Sequence, residues 1–407
     1  MGKLLTWVDD RFPLTKMMRE HLTEYYAPKN FNFWYYFGSL ALLVLVMQIV
    51  TGIFLTMYYQ PSADRAFESV QFIMRDVDWG WLIRYMHTTG ASMFFIVVYM
   101  HMFRGLLYGS YKKPRELIWI FGMLIFLALM AEAFMGYLLP WGNMSFWGAQ
   151  VIISLFSTIP YVGGDLAQWI RGDYVVSGAT LNRFFALHVI AMPLILLALI
   201  VAHILALHEV GSNNPDGVEI KKNKDERGLP KDGIPFHPYY TVKDLFGVGV
   251  FLIVFSLIVF YIPTMGDLFL EAPNFVPADP LATPPHIAPV WYFTPFYSIL
   301  RSVPSIGGTA FPGVVAMFMS MVLLFFLPWI DRSMVRSTRY RSVWHKVLLI
   351  AFAVVFVCLG YLGTQPPTPT AKTVAQCLSV AYFAFFIGLY LLGRFEKTKP
   401  VPERVTH

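Results

Sequence analysis

Two long apolar stretches of the chain each carry a pair of histidines, and that pattern constrains the fold more than any other feature. His87 and His101 lie fourteen residues apart in one stretch, and His188 and His203 lie fifteen apart in the other. At 100° per residue, fourteen residues return a side chain to within about 40° of its starting face, and at 1.5 Å rise they cover about 21 Å. The hydrocarbon core of a bilayer is about 30 Å thick, so each helix presents one imidazole near either side of it. A lone histidine in an apolar helix is ordinarily packed or hydrogen-bonded. Ionisable groups inside a membrane are costly and default to a functional role. Two pairs at matched depths therefore read as two metal centres stacked across a membrane.

Composition fits that setting. Of 407 residues, 57% are apolar and 14% charged, too apolar for an average soluble domain. Eight spanning segments are predicted, at 34–59, 81–108, 116–139, 181–208, 239–262, 309–329, 344–363 and 372–393, giving an all-α integral membrane protein. Loops 1–33, 105–116, 210–240, 330–346 and 393–407 hold 22 of the 31 Lys and Arg residues. The positive-inside rule places both termini in the cytoplasm or the mitochondrial matrix. The charge of +6 follows the membrane and gives no sign of nucleic-acid binding. Residues 1–33 show no cleavable signal peptide, and Leu4, Leu5, Val8 and Phe12 suggest a short surface helix.

The polar stretch 211–238 divides the chain into residues 1–210, a four-helix half carrying all four of the paired histidines, and residues 239–407, a second four-helix half carrying none of those four. Two loops on the far side, 140–180 and the proline-rich 262–308, are long without being disordered in composition, which marks them as functional. The first contains a short apolar helix pattern from Phe146 to Phe156.

Glycines repeat the histidine interval: Gly38 and Gly52 in the first segment, Gly122 and Gly136 in the third. A flat macrocycle wedged in a four-helix bundle needs facing helices without side chains at its two depths. Arg84, Arg104 and Arg183 are each displaced from a histidine toward the nearer surface, where guanidinium groups suit haem propionates or simply snorkel. Imidazole suits haem iron, and two per iron leave no open position, which makes an electron relay. Neither Cys358 nor Cys377 belongs to a Cys-x-x-Cys-His site, so such haems are held without covalent bonds.

The chain resembles the cytochrome b subunit of the respiratory quinol:cytochrome c oxidoreductase, complex III, of bacterial type. The resemblance is carried by Gly90-Ala91-Ser92-Met93-Phe94-Phe95, by Leu139-Pro140-Trp141-Gly142 with Met144-Ser145-Phe146-Trp147-Gly148-Ala149, and by Asn182-Arg183-Phe184-Phe185. Leu207-His208-Glu209, Gly211-Ser212-Asn213-Asn214-Pro215, Phe236-His237-Pro238-Tyr239-Tyr240 and Pro284-Pro285-His286-Ile287 add to it. It implies two non-covalent b-type haems, a low-potential one on His87 and His188 near the outer face and a high-potential one on His101 and His203 near the inner face. It implies an outer quinol-oxidising site between residues 141–156, including Gly148, and the turn Pro289-Val290-Trp291-Tyr292, with Tyr137 and Tyr297 nearby. It implies an inner quinone-reducing site with Ser39, His208, Ser212 and Asp244. The expected partners are a Rieske iron–sulfur protein, a cytochrome c-type haem subunit, quinone, membrane lipid and a second copy of the complex.

Two departures from the family pattern follow. Mitochondrial members commonly space the second histidine pair by fourteen residues, and the extra residue here rotates His203 by about 100°. A widened turn near Pro193 would absorb it. The related photosynthetic subunit shows the longer spacing too, but there the chain is split in two, and one continuous chain favours the respiratory type. Val290 stands where the family commonly has a glutamate, so quinol oxidation needs another proton acceptor, and Glu271 and Glu132 are the candidates. A membrane transporter, and the di-haem anchor of a dehydrogenase, are the competing readings.

Overall fold

The structure, a computed structural model, describes residues 2–406, and of His21 only the backbone. Among the described residues, seven helices are long and apolar enough to cross a membrane: Phe33–Thr56, Gly80–Tyr108, Glu116–Leu138, Gly178–Val210, Phe236–Tyr261, Val343–Thr364 and Pro369–Phe395. They fall at seven of the eight predicted positions. At the eighth the helix is shorter. Phe311–Phe325 ends at Phe326 and a separate turn, Leu327–Ile330, follows. Pro328 sits in that turn, where its ring and missing N–H favour a helix start over a helix interior.

Helix Tyr36–Thr56 packs along Gly80–Tyr108, and Met192–Val210 packs along Glu116–Leu138, so each histidine-bearing helix lies against a glycine-bearing one. A continuous cluster of buried side chains joins Val44 and Phe95 of the first half to Phe296 and Tyr382 of the second. Polar side chains pin this packing where a helix would otherwise slide. The Tyr99 hydroxyl donates to the Tyr292 carbonyl at 2.6 Å, and the Trp119 indole donates to the Leu324 carbonyl at 2.7 Å.

The helix carrying the second histidine pair is not uniformly α. Leu187–Ala191 form a π turn between Gly178–Ala186 and Met192–Val210, and Pro193 lies in the first turn of the latter. The fifteen-residue interval predicts a widened turn at this place, and a π turn takes up the extra residue.

The basic loops converge on one face. Arg115 pairs with Glu219 at 2.6 Å, and Arg336 reaches the same carboxylate. Buried Asp331 lies between Lys112 at 2.9 Å and Arg341 at 2.6 Å, and Arg341 continues to Glu396 at 2.7 Å. Removing one member of such a buried network costs about 3–5 kcal/mol, because the partner stays buried and unpaired. Tyr26–Pro28 pairs antiparallel with Gly233–Pro235, which lays the N-terminal segment against the 211–238 stretch. The predicted surface helix there is two short ones, Lys3–Asp9 and Leu14–Met18.

The opposite face carries Asn143–Phe156, which begins three residues before the predicted pattern, together with Gly163–Arg171 and Thr294–Ser302. Gly142 lets loop 272–278 approach: a Cβ there would lie 2.6 Å from the Asn274 amide oxygen. Asn143 N–H donates to the Val276 carbonyl at 3.0 Å, and Ala278 N–H donates to the Trp141 carbonyl at 2.9 Å.

Candidate functional site

The four histidines form two pairs. The His87 and His188 ring centroids are 6.3 Å apart at 86°, and those of His101 and His203 are 6.4 Å apart at 62°. Two imidazoles on one metal, with metal–nitrogen bonds of about 2.0 Å and about 1.1 Å from nitrogen to ring centre, hold their centroids about 6.2 Å apart. Both pairs therefore have the separation of two axial ligands. Among the described residues no group of three or more His, Cys, Asp or Glu side chains is arranged to hold a metal ion. Two protein ligands per metal suit an ion whose other positions are filled by a macrocycle.

Each predicted glycine faces one of these rings. A Cβ would lie 3.3 Å from His87 Cε1 at Gly52, 3.4 Å from His101 Cε1 at Gly38 and 3.5 Å from His203 Cε1 at Gly122, and at Gly136 it would collide with His188. Only at Gly136 would a side chain collide with the facing imidazole; at the other three it would meet the ring at or near van der Waals distance. Thr51 Oγ1 lies 2.9 Å from His87 Nδ1, and the Glu132 carbonyl oxygen lies 3.0 Å from His188 Nδ1. Both outer rings are thereby held through Nδ1, leaving Nε2 for a metal.

Of the arginines, Arg84 is buried in the wall of the outer cavity. The Arg104 guanidinium lies 5.0 Å over the Tyr35 ring, and its Nε is buried without a hydrogen-bond partner, as suits an anionic group placed beside it. Arg183 is exposed and donates to the Trp169 carbonyl at 2.6 Å, outside the cavity wall. The residues present fit a haem on each histidine pair.

A cavity of about 290 Å³ runs from the outer pair toward the far face, lined by Gly52, Arg84, Glu132, Tyr137, Val290 and Tyr292 among others. Pro289, Trp291, Tyr297 and Gly148 do not form its wall. Trp291 donates to Ser92 Oγ at 3.1 Å, Tyr297 donates to the Ile287 carbonyl at 3.4 Å, and a Cβ on Gly148 would lie 3.8 Å from the Tyr137 ring. Behind Tyr137 sits Glu271. The Tyr137 hydroxyl donates to Glu271 Oε2 at 3.2 Å, while the Asn274 amide donates to that oxygen at 3.1 Å and to the Tyr137 oxygen at 2.9 Å. Burial pushes the Glu271 carboxyl up to about 7, with its own backbone N–H, Tyr137 and Asn274 pulling it back. Glu132, the other candidate, turns one carboxylate oxygen to His188 Nδ1 at 3.1 Å.

On the basic side the Tyr25 ring stacks on His208, with centroids 4.5 Å apart at 11°, and its hydroxyl lies 3.0 Å from Ser212 Oγ. Asp244 is half-buried, and the Ser39 hydroxyl donates to the Tyr36 carbonyl at 3.0 Å. Tyr25 thus links two of the predicted inner residues, His208 and Ser212. Sequence reasoning missed Tyr25, Thr51 and Asn274. Only Thr51 carried a signal: it is adjacent to Gly52, and so lies on the stretch of helix that meets His87.

Comparison with known proteins agrees with this geometry. Residues 22–211 match the family model "Cytochrome b/b6/petB", and residues 277–383 match "Cytochrome b(C-terminal)/b6/petD". The chain is 61% identical to cytochrome b of Allochromatium vinosum, covering 99% of this chain and 98% of that one. It is 50% identical to cytochrome b of Rhodospirillum rubrum, covering 100% and 96%. A solved chain described as "Hyperthermophilic respiratory Complex III" superposes with a TM-score of 0.89 at 39% identity, covering 96% of this chain and 98% of that one.

Proposed function

The chain belongs to the cytochrome b family, and from that membership and the paired histidines we propose that it is the di-haem redox subunit of a quinol:cytochrome c oxidoreductase in a bacterial inner membrane. In this reading it spans the bilayer eight times, the 309–329 region counting as a crossing, with both termini cytoplasmic and 211–238 joining a 1–210 di-haem domain to a 239–407 domain. His87 with His188, and His101 with His203, would hold two b-type haems through their imidazoles. When bound, these supply a one-electron path between the two sides. The single observation that carries the reading is the equal separation of the two histidine pairs, 6.3 and 6.4 Å.

The chain's own side chains divide the remaining work. In the outer cavity Val290 and Tyr292 exclude water from quinol, and neither side chain is a carboxylate. Glu271 takes a proton that quinol releases, with Tyr137 and Asn274 aiming its Oε2. A carboxyl near pH 7 is matched to accepting and then passing on a proton. Of the two electrons leaving each quinol, one goes to a Rieske iron–sulfur protein and on to a cytochrome c-type subunit, and the other crosses to the inner side. There His208, with Asp244, gives protons to quinone, while Ser212 and Ser39 orient it. Proton release on one side and uptake on the other make the cycle translocating. Assembly as a homodimer of the complex is expected of the family.

A reduced-minus-oxidised spectrum of the purified complex tests this. Two b-type components, co-purifying with a Rieske protein, are expected. Absence of a Soret band would leave the transporter reading, and two haems without a Rieske partner would leave the dehydrogenase anchor.

A further inference from the structure

The four ligand rings are not held alike. Thr51 Oγ1 meets His87 Nδ1 at 2.9 Å, and because that hydroxyl donates to the Met47 carbonyl at 2.6 Å, its lone pair faces the ring. His188 Nδ1 lies 3.0 Å from the carbonyl oxygen of Glu132 and 3.1 Å from its carboxylate Oε1. In the inner pair, by contrast, neither the His101 nor the His203 Nδ1 meets a side-chain acceptor, and only the Ile118 backbone approaches His203. Glu132 lies one helical turn before Gly136, so a single helix face offers the His188 ring an open edge and a carboxyl group. The second carboxylate oxygen, Oε2, is buried without a hydrogen-bond partner, so among the described residues the group's polar engagement is with His188. A carboxylate within a membrane helix is costly, and such groups are kept for a task.

We propose that Glu132 is a positioning residue that sets the outer haem's reduction potential through His188, holding it below that of the inner haem. The inference rests on the di-haem reading above. An imidazole bound through Nε2 carries its proton on Nδ1. With that proton on the Glu132 carbonyl and the carboxylate Oε1 3.1 Å from the same nitrogen, the ring becomes a stronger electron donor and favours the oxidised metal. The neutral Thr51 hydroxyl does the same more weakly on the opposite ring, and the inner pair lacks both. The direction of the electron path, outer to inner, then follows from hydrogen bonding to the ligands.

The test is a redox titration of the assembled complex, followed optically and by electron paramagnetic resonance, with haem content measured first. Glu132→Gln is expected to shift the outer haem's oxidised-to-reduced ratio about tenfold toward reduced, a rise of about 59 mV for one electron, with the inner haem unmoved. Glu132→Ala, which keeps the backbone acceptor on His188, is expected to shift it the same way, and Thr51→Val to shift it less. An unchanged outer potential in Glu132→Gln or Glu132→Ala would overturn the proposal. Loss of the outer haem from both variants would overturn it too, in favour of a purely structural hold on His188. A wild-type complex with no haem pair would instead refute the reading beneath it.

Discussion

The outer cavity is walled by Phe269, Val290 and Tyr292, all buried, and the carboxylate behind it, Glu271, is fixed by two donors. The proposed inner residues His208, Ser212 and Asp244 are none of them fully buried, and the loops on their side are rich in lysine and arginine. The two places are proposed to run opposite halves of one quinone cycle, and their construction differs accordingly. Quinol oxidation must keep water out and lose protons by a controlled exit. Quinone reduction needs ready proton supply, which several titratable groups near bulk water provide. The outer side thus depends on one well-placed acceptor, and the inner side shares its task among several.

The largest expected effect removes the distinction between the two haem sites. His203→Leu is predicted to abolish the inner haem completely while a spectral component from His87 and His188 persists. Retention of two bis-histidine signals would break the assignment of pairs.

Next in size is the outer acceptor. Glu271→Gln is predicted to slow quinol oxidation about a hundredfold with both haem spectra intact. The raised pKa fixes the sign of the pH effect. The wild-type carboxyl is ionised, and able to accept, above about pH 7, and loses that ability as pH falls through 7. The acid limb of the rate profile should therefore centre near 7 and vanish in the variant. Wild-type turnover by Glu271→Gln across roughly pH 5 to 9 would eliminate it and move attention to Glu132.

The inner site should respond more mildly, because its work is shared. His208→Ala with Asp244→Ala is predicted to slow reoxidation of the inner haem by quinone about tenfold in single-turnover kinetics, with reduction through the outer site preserved. Unchanged reoxidation would reduce His208 to capping its helix, where the dipole favours a cation. The smallest effect is a rescue. Val290→Glu added to Glu271→Gln should recover about threefold in quinol oxidation by returning a carboxylate to the cavity wall. No recovery would mean that the acceptor's direction, set by Tyr137 and Asn274, matters more than its presence.

Much of this was legible in the chain because it is written in short-range spacing. His87 and His101, Gly38 and Gly52, and Gly122 and Gly136 each announce a helix face by their fourteen-residue interval. The long apolar segments also made the spans plain, except where Pro328 cuts the 309–329 segment short. What stayed hidden is contact at a distance. Tyr25 meets Ser212 across 187 residues and Asn274 meets Tyr137 across 137, and no periodicity records such meetings. Arg183 shows the same limit from the other side. Its guanidinium fits where Gly172 leaves room and donates to the Trp169 carbonyl, a contact that its place near His188 in sequence does not announce.

The π turn at Leu187–Ala191 carries a consequence for how the chain tolerates change in length. The two histidine levels are joined by two parallel tethers, one of fourteen residues and one of fifteen, and the rings still meet in pairs. The straight tether, within Gly80–Tyr108, therefore works as the ruler, and the other carries the slack. One residue gained or lost at the wide turn changes the winding of one tether while the ruler keeps the two levels apart. The same change between His87 and His101 has nothing to absorb it, and would turn a ring away from its partner by about 100°. Insertions and deletions should therefore be survivable on one helix and fatal on its neighbour.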